Sequence, residues 1–127
     1  MHIFKTRGVK RFTYREQITD ASLRTAIKRA GCGSIYADLG GGLIKQRIAR
    51  QGQGRSGGFR MIVAYREADR AVFLYGFAKN DRNNISDDEL QTLRCIGANW
   101  LAASEAVVRQ ALSDGDLQEI EYDGDQT

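Results

Sequence analysis

Four cations stand at spacings that strand geometry can bring together. Lys45 and Arg47 lie two residues apart in the alternating run 42–48, Arg60 heads the run 58–66, and Lys79 ends the run 71–78. Residues two apart on a strand share a face, so three neighbouring strands with short connections would gather these side chains at one end of a sheet. Arg50 and Arg55 fall in the glycine-rich stretch between the first two runs and would hang close by. Such a cluster suits a phosphodiester: cations orient the scissile phosphate and stabilise charge that develops in the transition state. The plain alternative is a row of solvent-facing charges on a two-layer fold.

Other chemistry fails on context. Gly52-Gln53-Gly54-Arg55-Ser56-Gly57 matches GxGxxG but joins two strand-like runs and opens no helix, so the anion-holding helix terminus of a dinucleotide site is missing. His2 is the one histidine and sits at the N-terminus with no evident partner, which argues against a nucleophile–histidine triad. Metal ligands at workable spacing are lacking, and neither a metal nor a cofactor is expected. Cys32 and Cys95 occur in unrelated contexts; reduced thiols in a cytoplasmic compartment fit them better than a disulfide framework.

The elements that must position the cations can be read in outline. Residues 3–5 make a short strand. Val9 and Phe12, three apart, indicate a helix over 8–17 with its arginines outward, and Leu23, Ile27 and Ala30 indicate a second over 20–30, with Asp20 as its N-cap and Gly31 as its stop. In the run 42–48, Leu43, Lys45 and Arg47 take one face and Ile44, Gln46 and Ile48 the other. In the run 58–66, Phe59, Met61, Val63 and Tyr65 oppose Arg60, Ile62, Ala64 and Arg66. A turn over 67–70 leads to the third run. The expectation is an α+β fold, with an antiparallel meander of three to four strands, helices before it and one long helix after it. That last helix starts at the capping box Ser86-Asp87-Asp88-Glu89, flanked by Ile85 and Leu90 as a hydrophobic staple. It carries the stripe Leu90, Leu93, Ile96, Trp100, Leu101, Val107, Val108, Ala111 and Leu112.

At 127 residues the chain suits a single domain over 1–127. No apolar run approaches the roughly 18 residues of a membrane span, and no apolar segment follows the basic N-terminus, so neither a membrane anchor nor a secretory signal is expected. The net charge of +3 hides a division: residues 1–82 hold 17 Lys and Arg against 6 Asp and Glu, residues 83–127 hold 2 against 10. Basic density of that order attracts polyanions, nucleic acid first among them. The acidic stretch over 114–127 is expected to be a mobile tail that leaves the basic surface open, or to end in a short strand over 117–122.

The segments Gly41-Gly42-Leu43-Ile44-Lys45-Gln46-Arg47-Ile48-Ala49-Arg50, Gly54-Arg55-Ser56-Gly57-Gly58-Phe59-Arg60-Met61-Ile62-Val63-Ala64-Tyr65 and Phe73-Leu74-Tyr75-Gly76-Phe77-Ala78-Lys79-Asn80-Asp81, in that order, resemble the RelE/HigB toxins of type II toxin–antitoxin systems. The resemblance covers roughly residues 20–110. It implies a RelE-like fold, a helix-turn-helix antitoxin as partner, and a cytoplasmic, metal-independent endoribonuclease. Such an enzyme cuts mRNA, often on the ribosome, by attack of a 2′-hydroxyl on the adjacent phosphate. Carried over by motif, Arg60 and Lys79 stabilise the phosphate and its transition state, while Lys45 and Arg47 position RNA or aid proton transfer. Arg50, Arg55, Tyr75 and Arg82 are the expected RNA contacts around them.

Two features depart from that pattern. Many ribosome-dependent relatives place a tyrosine or histidine near the cut, where this chain has Asn83-Asn84-Ile85-Ser86, and the acidic C-terminal segment is long. Three other readings stay open: a gyrase-poisoning relative, which would generally lack the basic set; a non-catalytic nucleic-acid-binding module; and a toxin remnant that no longer cuts.

Overall fold

The computed structural model describes residues 1–49, 58–82 and 84–121. Along the chain come β1 (His2–Thr6), α1 (Arg7–Glu16), α2 (Asp20–Gly31), β2 (Ala37–Gly40), β3 (Leu43–Ile48), β4 (Phe59–Arg66) and β5 (Arg70–Ala78). They are followed by α3 (Asp87–Ala102), α4 (Glu105–Asp114) and β6 (Leu117–Ile120). The strands form one six-stranded mixed sheet in the order β2-β3-β4-β5-β1-β6.

Strand alternation decides what each face buries. Ile44, Ile48, Phe59, Met61, Val63 and Phe73 pack with Val9, Phe12, Leu23 and Ile27 of α1 and α2. Leu43, Ile62, Ala64, Val72, Leu74 and Phe77 pack with Leu101, Val108 and Ala111 of α3 and α4. Both faces of the sheet are therefore covered, and the face pattern read from the sequence holds for β3 and β4.

The meander β3-β4-β5 is antiparallel as expected, but it is only the middle of the sheet. β2 adds antiparallel to β3. β1 inserts parallel to β5, and β6 closes the far edge antiparallel to β1. The expected sheet of three to four antiparallel strands is thus corrected to six mixed ones. Ile3 and Phe4 are both buried, on opposite faces, but a run this short carries no mark of its partner.

The single long C-terminal helix is also corrected. α3 begins at the capping box read from the sequence, with Ser86 accepting from the Glu89 N–H and Glu89 from the Ser86 N–H. It stops at Ala102, and Ser104 caps a new helix by accepting from the Val107 N–H. The guanidiniums of Arg66 and Arg70 donate to the carbonyls of Leu101, Trp100 and Ala103 at 2.7–2.9 Å. These bonds satisfy carbonyls that a terminating helix leaves open, at its negative end. The break turns Val107 outward, and Ile96 lies off the buried line, so both leave the expected apolar stripe and are exposed.

Two smaller readings change as well. Thr19, not Asp20, caps α2; Asp20 sits in the first turn and receives Lys5 at 2.8 Å. The strand reading of the acidic tail is the one found, over Leu117–Ile120, with both end residues buried, so residues up to 120 are part of the fold rather than a mobile tail. Residues 122–127 lie outside the described residues.

Candidate active site

The antiparallel register of β3 and β4 sets Arg47 directly opposite Arg60 and Lys45 opposite Ile62. Like charges directly across a sheet destabilise it, so the pairing needs something to offset it. That something is an aromatic ring. Tyr36, just before β2, has the Arg60 guanidinium 5.1 Å from its ring centroid and Lys45 and Arg47 each at 5.6 Å, within cation–π range. Arg60 is buried, 4% exposed, whereas Tyr36 is 49% exposed. Among the described residues no carboxylate forms an ion pair with Lys45 or Arg60.

Tyr36 is held there by a buried amide. Gln46 is 1% exposed and faces away from the cations, toward α2. Its Oε1 accepts from the Tyr36 N–H at 2.8 Å, and its Nε2 donates to the carbonyls of Ala26 and Ser34 at 2.8 and 3.1 Å. One side chain thus ties the α2–β2 connection to β3. Hydrogen bonding from Arg60, then its charge, draw the Tyr36 phenol below its ordinary value near 10; burial opposes this, and the charges of Lys45 and Arg47 add to it.

Beside Tyr36 a cleft of about 470 Å³ opens at the β3 edge, lined among others by Arg29, Ser34, Gln46 and Arg47. Arg29 closes its floor by donating to the Arg47 carbonyl. On the other side, Lys45 Nζ donates to Asn84 Oδ1 at 3.3 Å, and the same oxygen accepts from the Ile85 N–H at 2.9 Å. The segment that leads into α3 is thereby fixed against the cluster.

Of the four cations expected to act, the structure brings Lys45, Arg47 and Arg60 together. Lys79 is exposed, and its N–H donates to the Gly58 carbonyl just past the sheet end. Phe77 pairs with Arg60, so Lys79 lies one strand over and about 7 Å farther along. It borders the cluster at the same end without joining it. Arg50, Arg55 and the GxGxxG stretch lie outside the described residues.

Tyr75 and Arg82 belong to a different network. Arg82 donates to both Glu89 oxygens at 2.5 and 3.0 Å, to Tyr75 Oη at 3.2 Å and to the Asn84 carbonyl at 2.9 Å, with its guanidinium 5.8 Å from the Phe77 ring. Tyr75 packs in the α3 side of the core. These bonds lock the connection between β5 and α3 and occupy the Arg82 guanidinium. Tyr36 and Gln46 went unread as site residues. The one available signal was a glutamine on the apolar face that Ile44 and Ile48 share.

The family model described as RelE toxin of RelE / RelB toxin-antitoxin system matches residues 1–120. No curated protein matches the chain. No helix of the described residues is long and apolar enough to cross a membrane.

Proposed function

This chain belongs to the RelE toxin family, and on that premise we propose that it inhibits translation as a metal-independent endoribonuclease that cleaves mRNA in the cytoplasm, in association with the ribosome. A toxin of this kind has an antitoxin as partner; a helix-turn-helix antitoxin is the proposed type. The observation that carries the nuclease reading is the trio Lys45, Arg47 and Arg60 on one sheet face around Tyr36. Among the described residues the buried Arg60 guanidinium pairs with no carboxylate; a buried charge favours an anionic partner, and a phosphodiester supplies one.

In this mechanism a 2′-hydroxyl attacks the neighbouring phosphorus, and negative charge grows on the non-bridging oxygens. Arg60 stabilises that charge from the sheet, with Arg47 opposite it. Lys79 reaches in from the end of β5 to the same phosphate, and Lys45 orients the strand of RNA. Arg50 and Arg55 are assigned to the flanking backbone, whereas Tyr75 and Arg82 support the scaffold.

Cleavage of mRNA by the purified protein, with ribosomes present, tests the reading. Arg60→Ala and Lys79→Ala should each slow it at least about tenfold, or about 1.4 kcal/mol of transition-state stabilisation, with the fold retained in both and the melt unchanged in Lys79→Ala. Wild-type rates in both variants would remove the assignment, and gyrase-dependent DNA breaks in place of RNA cuts would replace it.

A further inference from the structure

The roles assigned above give the 2′-hydroxyl proton no acceptor beyond the aid to proton transfer that the family resemblance implies for Lys45 or Arg47. We propose that Tyr36 is the general base: its phenolate oxygen takes that proton as the 2′-oxygen attacks the adjacent phosphorus in the RNA held by Lys45, Arg47 and Arg60. The inference rests on the nuclease reading above.

Placement carries the argument. Tyr36 is the side chain on which all three cations converge, at 5.1–5.6 Å from its ring, so a phosphate drawn to them arrives beside it. It is half exposed, within reach of a substrate, yet its backbone is pinned through the buried Gln46. It also borders the cleft of about 470 Å³ that Arg29 and Arg47 line. A base must be positioned first and tuned second, and this side chain meets both demands. Lys45 and Arg47 face it from β3, Arg60 from β4, and Arg29 of α2 lines the cleft beside it. A field of this sign favours the phenolate over the phenol, which is the direction in which Tyr36 is shifted.

The step balances without a further reagent. The bond between the 2′-oxygen and phosphorus forms, and the bond from phosphorus to the 5′-oxygen breaks with its electron pair leaving on that oxygen. Water protonates the leaving oxygen, and the Tyr36 phenol returns its proton to water. The products are a 2′,3′-cyclic phosphate and a 5′-hydroxyl.

Single-turnover cleavage of mRNA on purified ribosomes, followed across pH, tests this with wild type, Tyr36→Phe and Arg60→Ala. Tyr36→Phe keeps the ring under the guanidiniums and removes the hydroxyl together with its hydrogen bond from Arg60. We expect cleavage slowed about a hundredfold, unchanged binding of the same message with a 2′-deoxy residue at the cut, and an unchanged melt. The wild-type rate should rise with pH through an ionisation below 10, and that rise should vanish in Tyr36→Phe. The ultraviolet difference between the two proteins should show one tyrosine ionising before the others. Wild-type cleavage by Tyr36→Phe while Arg60→Ala is slow overturns this proposal alone. So does a loss confined to binding, or a Tyr36 that ionises with the bulk. A wild-type chain that leaves every message whole overturns the nuclease reading and this proposal with it.

Discussion

Gln46 illustrates how much of the site hangs on one uncharged side chain. Its amide meets the Tyr36 N–H and two carbonyls from inside the core. Gln46→Leu fills the same space but leaves those backbone groups without partners, a cost of about 1–3 kcal/mol. The expected outcome is a lower melting temperature together with slower RNA cleavage, although every cation is retained; full activity would show that the α2–β2 connection holds itself in place. At this scale the sequence was legible where alternation governs. Lys45, Arg47 and Arg60 share a face because strand period leaves no choice. Tyr36 was not legible, since it precedes its strand and a distant amide sets its position. The charge of Arg82 is visible in the sequence, whereas its bidentate bond to Glu89 is not.

Among the elements, the contact of α1 with the sheet turns on an absent side chain. A Cβ at Gly76 would lie 2.6 Å from Met61 Sδ and 2.7 Å from the Phe12 ring, so Phe12 seats α1 directly on the β5 backbone. Gly76→Ala should destabilise the protein by about 1–3 kcal/mol, as overpacking does, with Phe12→Leu in the same chain recovering part of it; denaturant unfolding measures both. The start of α3 carries a pH dependence. Bonds from Arg82 and from the Ser86 N–H hold Glu89 at about 2, against 4.5 when unperturbed. A carboxylate depressed on folding contributes stability that is fully present above 4.5 and is lost as pH falls from there toward 2. Melts of Glu89→Gln should therefore vary less with pH across that window than the wild type does. The capping box announced this start in the sequence. The end of α3 did not announce itself, because Arg66 and Arg70 reach it from another part of the chain.

At the scale of the whole molecule the cation cluster is separated from the C-terminal acids. The cation cluster lies on β3 and β4, while the acids of the last described segment lie on and beside β6, four strands from β3 and so about 19 Å away. Arg7 pairs with Asp116 at 2.8 Å and His2 with Glu119 at 3.1 Å. These pairs hold both acids at the β1–β6 edge, away from the cation cluster. Deleting residues 117–127 removes Leu117 and Ile120 from the core, each worth about 1.5–3 kcal/mol of burial, and should lower the melting temperature sharply rather than leave a sound toxin. Expression of the intact chain in a bacterium should slow growth, and co-expression of the antitoxin should relieve it; unimpeded growth at high expression would count against toxicity. The α+β class and the meander were legible at this scale. The outer strands were not, because their partners lie too far along the chain for any local pattern to record.

The position of β1 between β5 and β6 has a consequence for the order of synthesis. His2 pairs with Arg70 and Ile3 with Ile120, so β1 must wait for one neighbour 68 residues later and another 117 residues later. Such distant pairings make folding slow. They also mean that β1 lacks its second neighbour, and the sheet stays incomplete, until β6 has emerged from the ribosome, although the β3–β4 pairing that carries the cations needs neither strand. The topology thus acts as a timer: the β1–β6 edge of the sheet, and with it the burial of Leu117 and Ile120, closes only after the strands before it have been made.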